Sequence, residues 1–259
     1  MVELLNFEVA GDSNHQKIVL IAHGLFGSHK NWRSIAKLLV GFGFQVISVD
    51  MRNHGLSFWH DNHRYVDLAN DLRKVITKFG DAADVIGHSM GGKAAMTLAL
   101  LHSHCVKKLV VVDIAPVYYQ HSQLEYINAM EDVDLNLVKT RNDLDKELSA
   151  GIDDPILRSF FSQSYDFSNV IRKNWLLNLN ALKQNLPEIM DFPKFQNRNF
   201  SPTLIVRGAL SNYVLDKHQP VINDYFPNYR LLTIDKADHW LHVNNRKEFG
   251  FSLCQFLTT

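Results

Sequence analysis

The sequence predicts an α/β protein, a mostly parallel twisted sheet flanked by helices, with a helical cap inserted between two of its strands. Three observations carry that expectation. Short apolar runs alternate with segments of helical periodicity from residue 18 to residue 113. From residue 120 to about residue 192 the periodicity is helical and no buried-strand run occurs. Strand-like runs then return at 202–208 and 229–234. Alternation of this kind builds a parallel sheet with crossover helices, and strands buried on both faces read as continuous apolar runs.

Taken in order, residues 4–9 read as an initial strand and Gly11-Asp12-Ser13-Asn14 as a turn. Ile18-Val19-Leu20-Ile21-Ala22 is a strand buried on both faces, followed by His23-Gly24-Leu25-Phe26-Gly27-Ser28. Residues 31–40 place Trp32, Ile35, Ala36, Leu38 and Leu39 at helical spacing, and Gly41 and Gly43 end the helix. Residues 44–49 form the next buried strand, and residues 66–79 a helix with Leu68, Leu72, Val75, Ile76 and Phe79 on one face. The run 107–113, Lys-Lys-Leu-Val-Val-Val-Asp, is another strand. In the insertion, residues 122–130, 143–150, 155–161 and 169–186 read as helices. A helix at 216–225, a strand at 229–234 and a closing helix at 244–257 complete the chain. The expected division is a core of residues 1–115 and 200–259, with residues 116–199 as the cap.

Gly87-His88-Ser89-Met90-Gly91 is the most informative stretch. It matches G-x-S-x-G, follows the apolar run Ala82-Ala83-Asp84-Val85-Ile86 and precedes the helix former Gly92-Lys93-Ala94-Ala95-Met96. Strand, Gly-x-Ser-x-Gly, helix is the context of a nucleophile elbow, a strained turn that projects the serine hydroxyl into a cleft. The helix N-terminus behind it favours negative charge.

A serine hydroxyl attacks a carbonyl only with a base, a group that orients the base, and donors for the developing oxyanion. His239, in the loop Asp235-Lys236-Ala237-Asp238-His239-Trp240 after the last strand, is the expected base, with His242 the rival. The acid is expected after the 202–208 strand in a turn of the form Gly-x-x-Asp, but that turn reads Gly208-Ala209-Leu210-Ser211. Asp113, at the end of the preceding strand, is therefore the favoured acid, and Asp216 the second choice. The oxyanion donors should be the Met90 N–H and an N–H of the loop after His23, from Leu25 or alternatively Phe26. Phe26, Trp175 and Trp240 are the candidates for an acyl-binding pocket.

Other polar residues read as structural. His23, Asp50, Arg52 and His54 brace loops flanking the cleft, and Lys93 reads as a helix-surface residue. His54, His60 and His63 match no metal-ligand spacing, so no metal or cofactor is expected. Arg158, Arg172 and Lys173 read as solvated faces; turned inward, they would suit a carboxylate-binding pocket for carbon–carbon bond hydrolysis.

Composition excludes several classes. The 259 residues suffice for one domain with an insertion. Lys plus Arg and Asp plus Glu are both 27, so no basic stripe marks a nucleic-acid partner. No run approaches the ~20 apolar residues of a membrane span, and no signal-peptide pattern opens the sequence. Two cysteines, Cys105 and Cys254, make no disulfide framework and fit a reduced, cytoplasmic setting.

His23-Gly24, Asp50-x-Arg52-x-His54-Gly55-x-Ser57, Gly87-His88-Ser89-Met90-Gly91-Gly92-Lys93, Val112-Asp113-Ile114-Ala115-Pro116 and Asp238-His239-Trp240 together resemble the α/β-hydrolase superfamily. More narrowly they resemble the bacterial YbfF-type esterases and the abhydrolase-domain-containing-protein-11 group. That resemblance implies an esterase or thioesterase acting on small acyl esters, acyl-CoA among them, with its acid after the strand the family counts as its sixth, in agreement with the missing carboxylate near Ser211. A non-catalytic binding protein with a decayed triad is the reading that the missing carboxylate at Ser211 would favour.

Overall fold

The structure, a computed structural model, describes residues 3–12, 17–168 and 174–259. Its sheet and helices run β1 (Phe7–Ala10), β2 (Lys17–Ala22), α1 (Arg33–Gly41), β3 (Phe44–Val49), α2 (Tyr65–Phe79), β4 (Ala83–His88), α3 (Met90–Leu101) and β5 (Val106–Val112). The insertion follows as α4 (Leu124–Glu131), α5 (Arg141–Leu148), α6 (Pro155–Ser162), α7 (Leu179–Gln184) and α8 (Leu186–Met190). The chain then returns to the sheet with β6 (Thr203–Gly208), α9 (Gln219–Tyr225), β7 (Tyr229–Ile234), α10 (Leu241–Asn244) and α11 (Arg246–Thr258).

The seven strands are ordered β1-β3-β2-β4-β5-β6-β7. Only the edge strand β1 is antiparallel to its neighbour. Pairing sets the level of the strand ends. Ala22 lies opposite Gly87, His88 opposite Val112, and Val112 opposite Val206. The residues that follow, His23, Ser89, Asp113 and Arg207, therefore emerge together at the carboxyl edge, where open α/β sheets bind ligands.

Two apolar layers sandwich the sheet. Leu20, Val85 and Val111 face α2, α3 and the insertion, while Val19, Ile21, Val110 and Val112 face α1 and α11. Helix α3 is buried all round, with Ala94, Ala95, Met96, Leu98 and Ala99 fully excluded from solvent. A helix apolar on every side belongs in a core. This corrects one expectation: Lys93 is not on a helix surface but 1% exposed. The face of α3 turned away from the sheet is covered by α2 and by the end of the insertion, so no solvated face remains.

The long helix expected at 169–186 is also corrected. Residues 169–173 lie outside the described residues, and 174–178 are not helical. Trp175 bridges Tyr165 and Leu177 bridges His54. The N–H of Gly55 donates to Leu176 O at 2.8 Å, and that of Asn178 to Asn53 O at 3.0 Å. This stretch pairs its backbone with the 53–55 loop, and a short apolar run does not by itself distinguish the two states. Asn178 then caps α7, its side chain accepting from Ala181 N–H. No helix among the described residues is long and apolar enough to cross a membrane.

Candidate active site

Ser89 occupies the turn between β4 and α3 with φ 51° and ψ −118°. A non-glycine residue holds such a conformation only when its surroundings enforce it. Its N–H donates to Val112 O at 3.0 Å, tying the turn to β5, and its carbonyl accepts from Lys93 N–H at 3.0 Å, starting α3. Gly87 and Gly91 permit the close packing. A Cβ on Gly87 would overlap the Gly91 carbonyl, and one on Gly91 the carbonyls of Ala22 and His23.

Asp113 leaves β5 with φ 51° and a carboxylate wholly shielded from solvent. Its Oδ2 accepts from His239 Nδ1 at 2.8 Å and from the Ser211 hydroxyl at 2.5 Å. Its Oδ1 accepts from Gly208 N–H at 3.1 Å. A buried carboxylate needs such donors to stay charged. The bond to Asp113 makes Nδ1 the protonated nitrogen of His239 and leaves Nε2 free as a base. The imidazole stacks on the Tyr213 ring, centroids 4.0 Å apart and planes at 24°. Burial, with the Asp113 charge behind it, pushes the Tyr213 phenol up to about 12. The backbone carbonyl of His239 accepts from His88 Nε2 at 3.0 Å. Ser89 and His239 face one cavity.

The other wall is the loop after β2. His23 donates from Nδ1 to Gly24 O at 2.7 Å and accepts Met51 N–H at Nε2, 2.9 Å. Phe26, at φ 64°, donates its N–H to His54 Nε2 at 3.1 Å. His54 in turn donates from Nδ1 to Arg52 O at 2.9 Å. Burial, then the neighbouring His23, holds the His54 pKa down to about 3, so the ring stays neutral and Nε2 stays an acceptor. With the Phe26 N–H engaged, the backbone N–H groups of Leu25 and Met90 are left without a protein acceptor among the described residues. The Ser164 hydroxyl fastens the loop to the insertion by donating to Phe26 O at 2.7 Å.

The cavity is about 80 Å³, and Leu25, Phe26, Met90 and Trp240 line it with Leu157 and Phe160 of the insertion. Trp240 packs on Phe160, centroids 4.3 Å apart. Trp175 is elsewhere: its indole packs edge-on against Tyr165 inside the insertion and donates to Met130 O at 2.9 Å. Its aromaticity serves packing, so it does not join the pocket as expected. Asp216 is mostly exposed and pairs with Arg207 at 2.9 Å, away from His239. His242 is buried and stacks on Trp32 at 4.5 Å and 6°. His63 is buried between Asn53 and the Met90 sulfur. No group of three or more candidate metal ligands occurs among the described residues. Arg158 pairs with Asp145 at 2.8 Å, while Arg172 and Lys173 lie outside the described residues.

Sequence reasoning missed three contributors: His88, Ser211 and Tyr213, whose ring stacks on His239. His88 holds the backbone of the histidine loop, and nothing in a G-x-S-x-G pattern marks its second position as structural. Ser211 did carry a signal, since it stands where a carboxylate was expected. Its hydroxyl donates to the acid that replaced it.

Residues 17–245 match the family described as alpha/beta hydrolase fold. The chain belongs to the α/β-hydrolase family. The hydrolase is 36% identical to the mouse protein named sn-1-specific diacylglycerol lipase ABHD11, covering 95% of this chain and 82% of the mouse one. It is 32% identical to Esterase YbfF of Escherichia coli, covering 91% of each. Among solved structures, a marine microorganism esterase superposes with a TM-score of 0.93 at 36% identity, covering 98% of this hydrolase and 100% of the esterase. The motif resemblance and the expected fold are both borne out, and the similarity is to ester-hydrolysing enzymes.

Proposed function

We propose that this hydrolase is a serine carboxylic-ester hydrolase acting on small acyl esters and thioesters, acyl-CoA included, through a covalent acyl-enzyme. Ser89 Oγ attacks the acyl carbonyl as His239 Nε2 takes its proton. Asp113 holds the ring by Nδ1 and stabilises the imidazolium. The Leu25 and Met90 N–H groups receive the oxyanion, and each such donor is worth on the order of 10² to 10³ in rate. His239 then returns the proton to the departing alcohol or thiol. Water, activated by the same nitrogen, releases the acid and frees Ser89.

The observation that carries this reading is the 2.8 Å bond from His239 Nδ1 to the buried Asp113 carboxylate, on a ring that shares a cavity with a strained serine. The Ser211 bond argues against a decayed triad, because the serine supplements the acid instead of leaving its place empty. The apolar side chains of Leu25, Leu157, Phe160 and Trp240 in the cavity wall suit the hydrocarbon part of an acyl group.

The test is hydrolysis of p-nitrophenyl butyrate and of butyryl-CoA, compared as kcat/KM, by the parent and by Ser89→Ala. The parent should turn over the ester, and Ser89→Ala should lose about ten-thousand-fold or more. Full activity in Ser89→Ala, or a parent inert toward every ester and thioester, refutes the assignment.

A further inference from the structure

The mechanism above leaves one buried charged group in the cavity unused. Lys93 follows Ser89 by four residues on α3, so its side chain leaves the helix on the face that bears the serine. The two positions differ by about 6 Å along the helix axis. Lys93 lines the same cavity as Ser89 and His239. Its Nζ donates to Met190 O at 3.0 Å and to Asp191 O at 2.7 Å, where the chain leaves α8. It also lies over the Tyr119 ring at 4.8 Å and the Tyr65 ring at 5.7 Å.

An ammonium has three donors. Two are used, and the third has no protein acceptor among the described residues. Nor does Lys93 form an ion pair among them; the nearest acidic influence is the more distant charge of Asp191. A buried cation held only by neutral dipoles is costly, and burial accordingly pulls the Lys93 pKa down to about 7. The Tyr119 and Tyr65 ring faces attract a cation but carry no counter-charge, and Ile114, Leu157, Phe160 and Ile189, which line the same cavity, carry no polar side-chain group. An acyl pocket for plain hydrocarbon chains gains nothing from a lysine there.

We propose that Lys93 forms an anion subsite at the inner end of the acyl cavity, so that the preferred substrates are esters or thioesters of short acyl groups ending in a carboxylate. This rests on the hydrolase assignment and names its substrate class. The arriving carboxylate accepts from the free donor and supplies the missing counter-charge. Its carbonyl end stays at Ser89, and the spacing of about 6 Å between Ser89 and Lys93 along the helix axis selects a short spacer.

The competing account is a latch: Lys93 merely staples α3 to the segment after α8. A latch affects all substrates alike, whereas a subsite affects only charged ones. The experiment compares kcat/KM for mono-p-nitrophenyl glutarate and for its uncharged counterpart, p-nitrophenyl methyl glutarate, in the parent and in Lys93→Met. A charge-assisted hydrogen bond corresponds to roughly 10- to 100-fold. The parent should favour the hemiester by about that factor, and Lys93→Met should erase the preference while changing the uncharged ester by less than about fivefold. Equal rates in the parent, or equal losses on both esters in Lys93→Met, overturn the subsite.

A second arm stands if Lys93→Met does not fold, and it does not depend on turnover. Calorimetry on Ser89→Ala should show monomethyl glutarate binding roughly 10-fold or more tightly than methyl pentanoate. Equal binding overturns the subsite even in a protein active on simple esters. Tighter binding of the glutarate in a protein inert to all esters keeps the subsite and removes the hydrolase assignment.

Discussion

Ser89 sits in a turn whose five residues, Gly87 to Gly91, are contiguous, whereas the Asp113–His239 pair joins side chains 126 positions apart. The serine is held by backbone: a bond to β5, the first turn of α3, and two glycines packed against carbonyls. The histidine is held by side chains from three other segments. Asp113, itself bonded by the Ser211 hydroxyl, sets one ring nitrogen, Tyr213 covers a ring face, and His88 fixes the loop carbonyl. Backbone strain can be encoded in five consecutive residues. A polar network must be assembled from distant ones, and each member is exposed to single substitutions.

That contrast predicts a graded series. Asp113→Asn removes the acceptor that sets the His239 tautomer and should lower kcat by a factor of about 10² to 10⁴. Asp216→Asn, whose side chain bonds only Arg207 and Gln219 among the described residues, should leave the rate within about twofold. Steady-state kinetics on one ester checks both, and the reverse outcome would move the acid to Asp216.

His54→Leu tests the backbone side. It removes the acceptor of Phe26 N–H and frees the loop that presents Leu25, so kcat should fall by about 10- to 100-fold with KM little changed. An unchanged kcat would show that the loop keeps its shape without the histidine.

Ser211→Ala should cost less, about tenfold in kcat, because Asp113 keeps His239 and Gly208 as donors. Restoration by Ser211→Thr would tie the loss to the hydroxyl. Equal loss in both variants would point to packing.

The smallest effect is expected at the opposite end of β4. Asp84 is buried like Asp113 but has no histidine partner among the described residues, and burial raises its pKa to about 6 despite nearby Lys108 and Lys107. The folded state therefore binds the Asp84 proton more tightly than the unfolded chain does. This contribution to stability is complete below the unfolded value near 3.8 and is lost as pH rises through about 6. At pH 7.5 the ionised carboxylate is a liability of about 1–3 kcal/mol, so Asp84→Asn should raise Tm by several degrees there. At pH 4 the two proteins should melt together. A gain independent of pH would show that charge is not the cause.

How much of this was legible beforehand follows the same division. The bounds of β3 match its apolar run, because a strand buried on both faces has few alternative readings, and those of β7 match too, although that edge strand is largely half-exposed. The 174–178 stretch was misread as helix because its partners, Asn53 to Gly55 and Tyr165, are remote in sequence. Lys93 was misread because charge normally signals a solvated face, and only the covering insertion makes it buried. Trp175 and Trp240 are chemically alike, and nothing local separates the one packed on Tyr165 from the one facing the cavity.

On its own the sequence determined the alternating strands and helices, the strained serine turn and the candidates for base and acid. Each rests on residues adjacent in the chain, where sterics and periodicity act. Tertiary structure alone decided that Ser211 serves Asp113, that His54 takes the Phe26 N–H and leaves Leu25 free, and that Lys93 stands buried beside the serine without a counter-charge. Those outcomes depend on which distant segments meet at the carboxyl edge of the sheet. Hydrogen bonds and desolvation act only once the chain has brought the groups together.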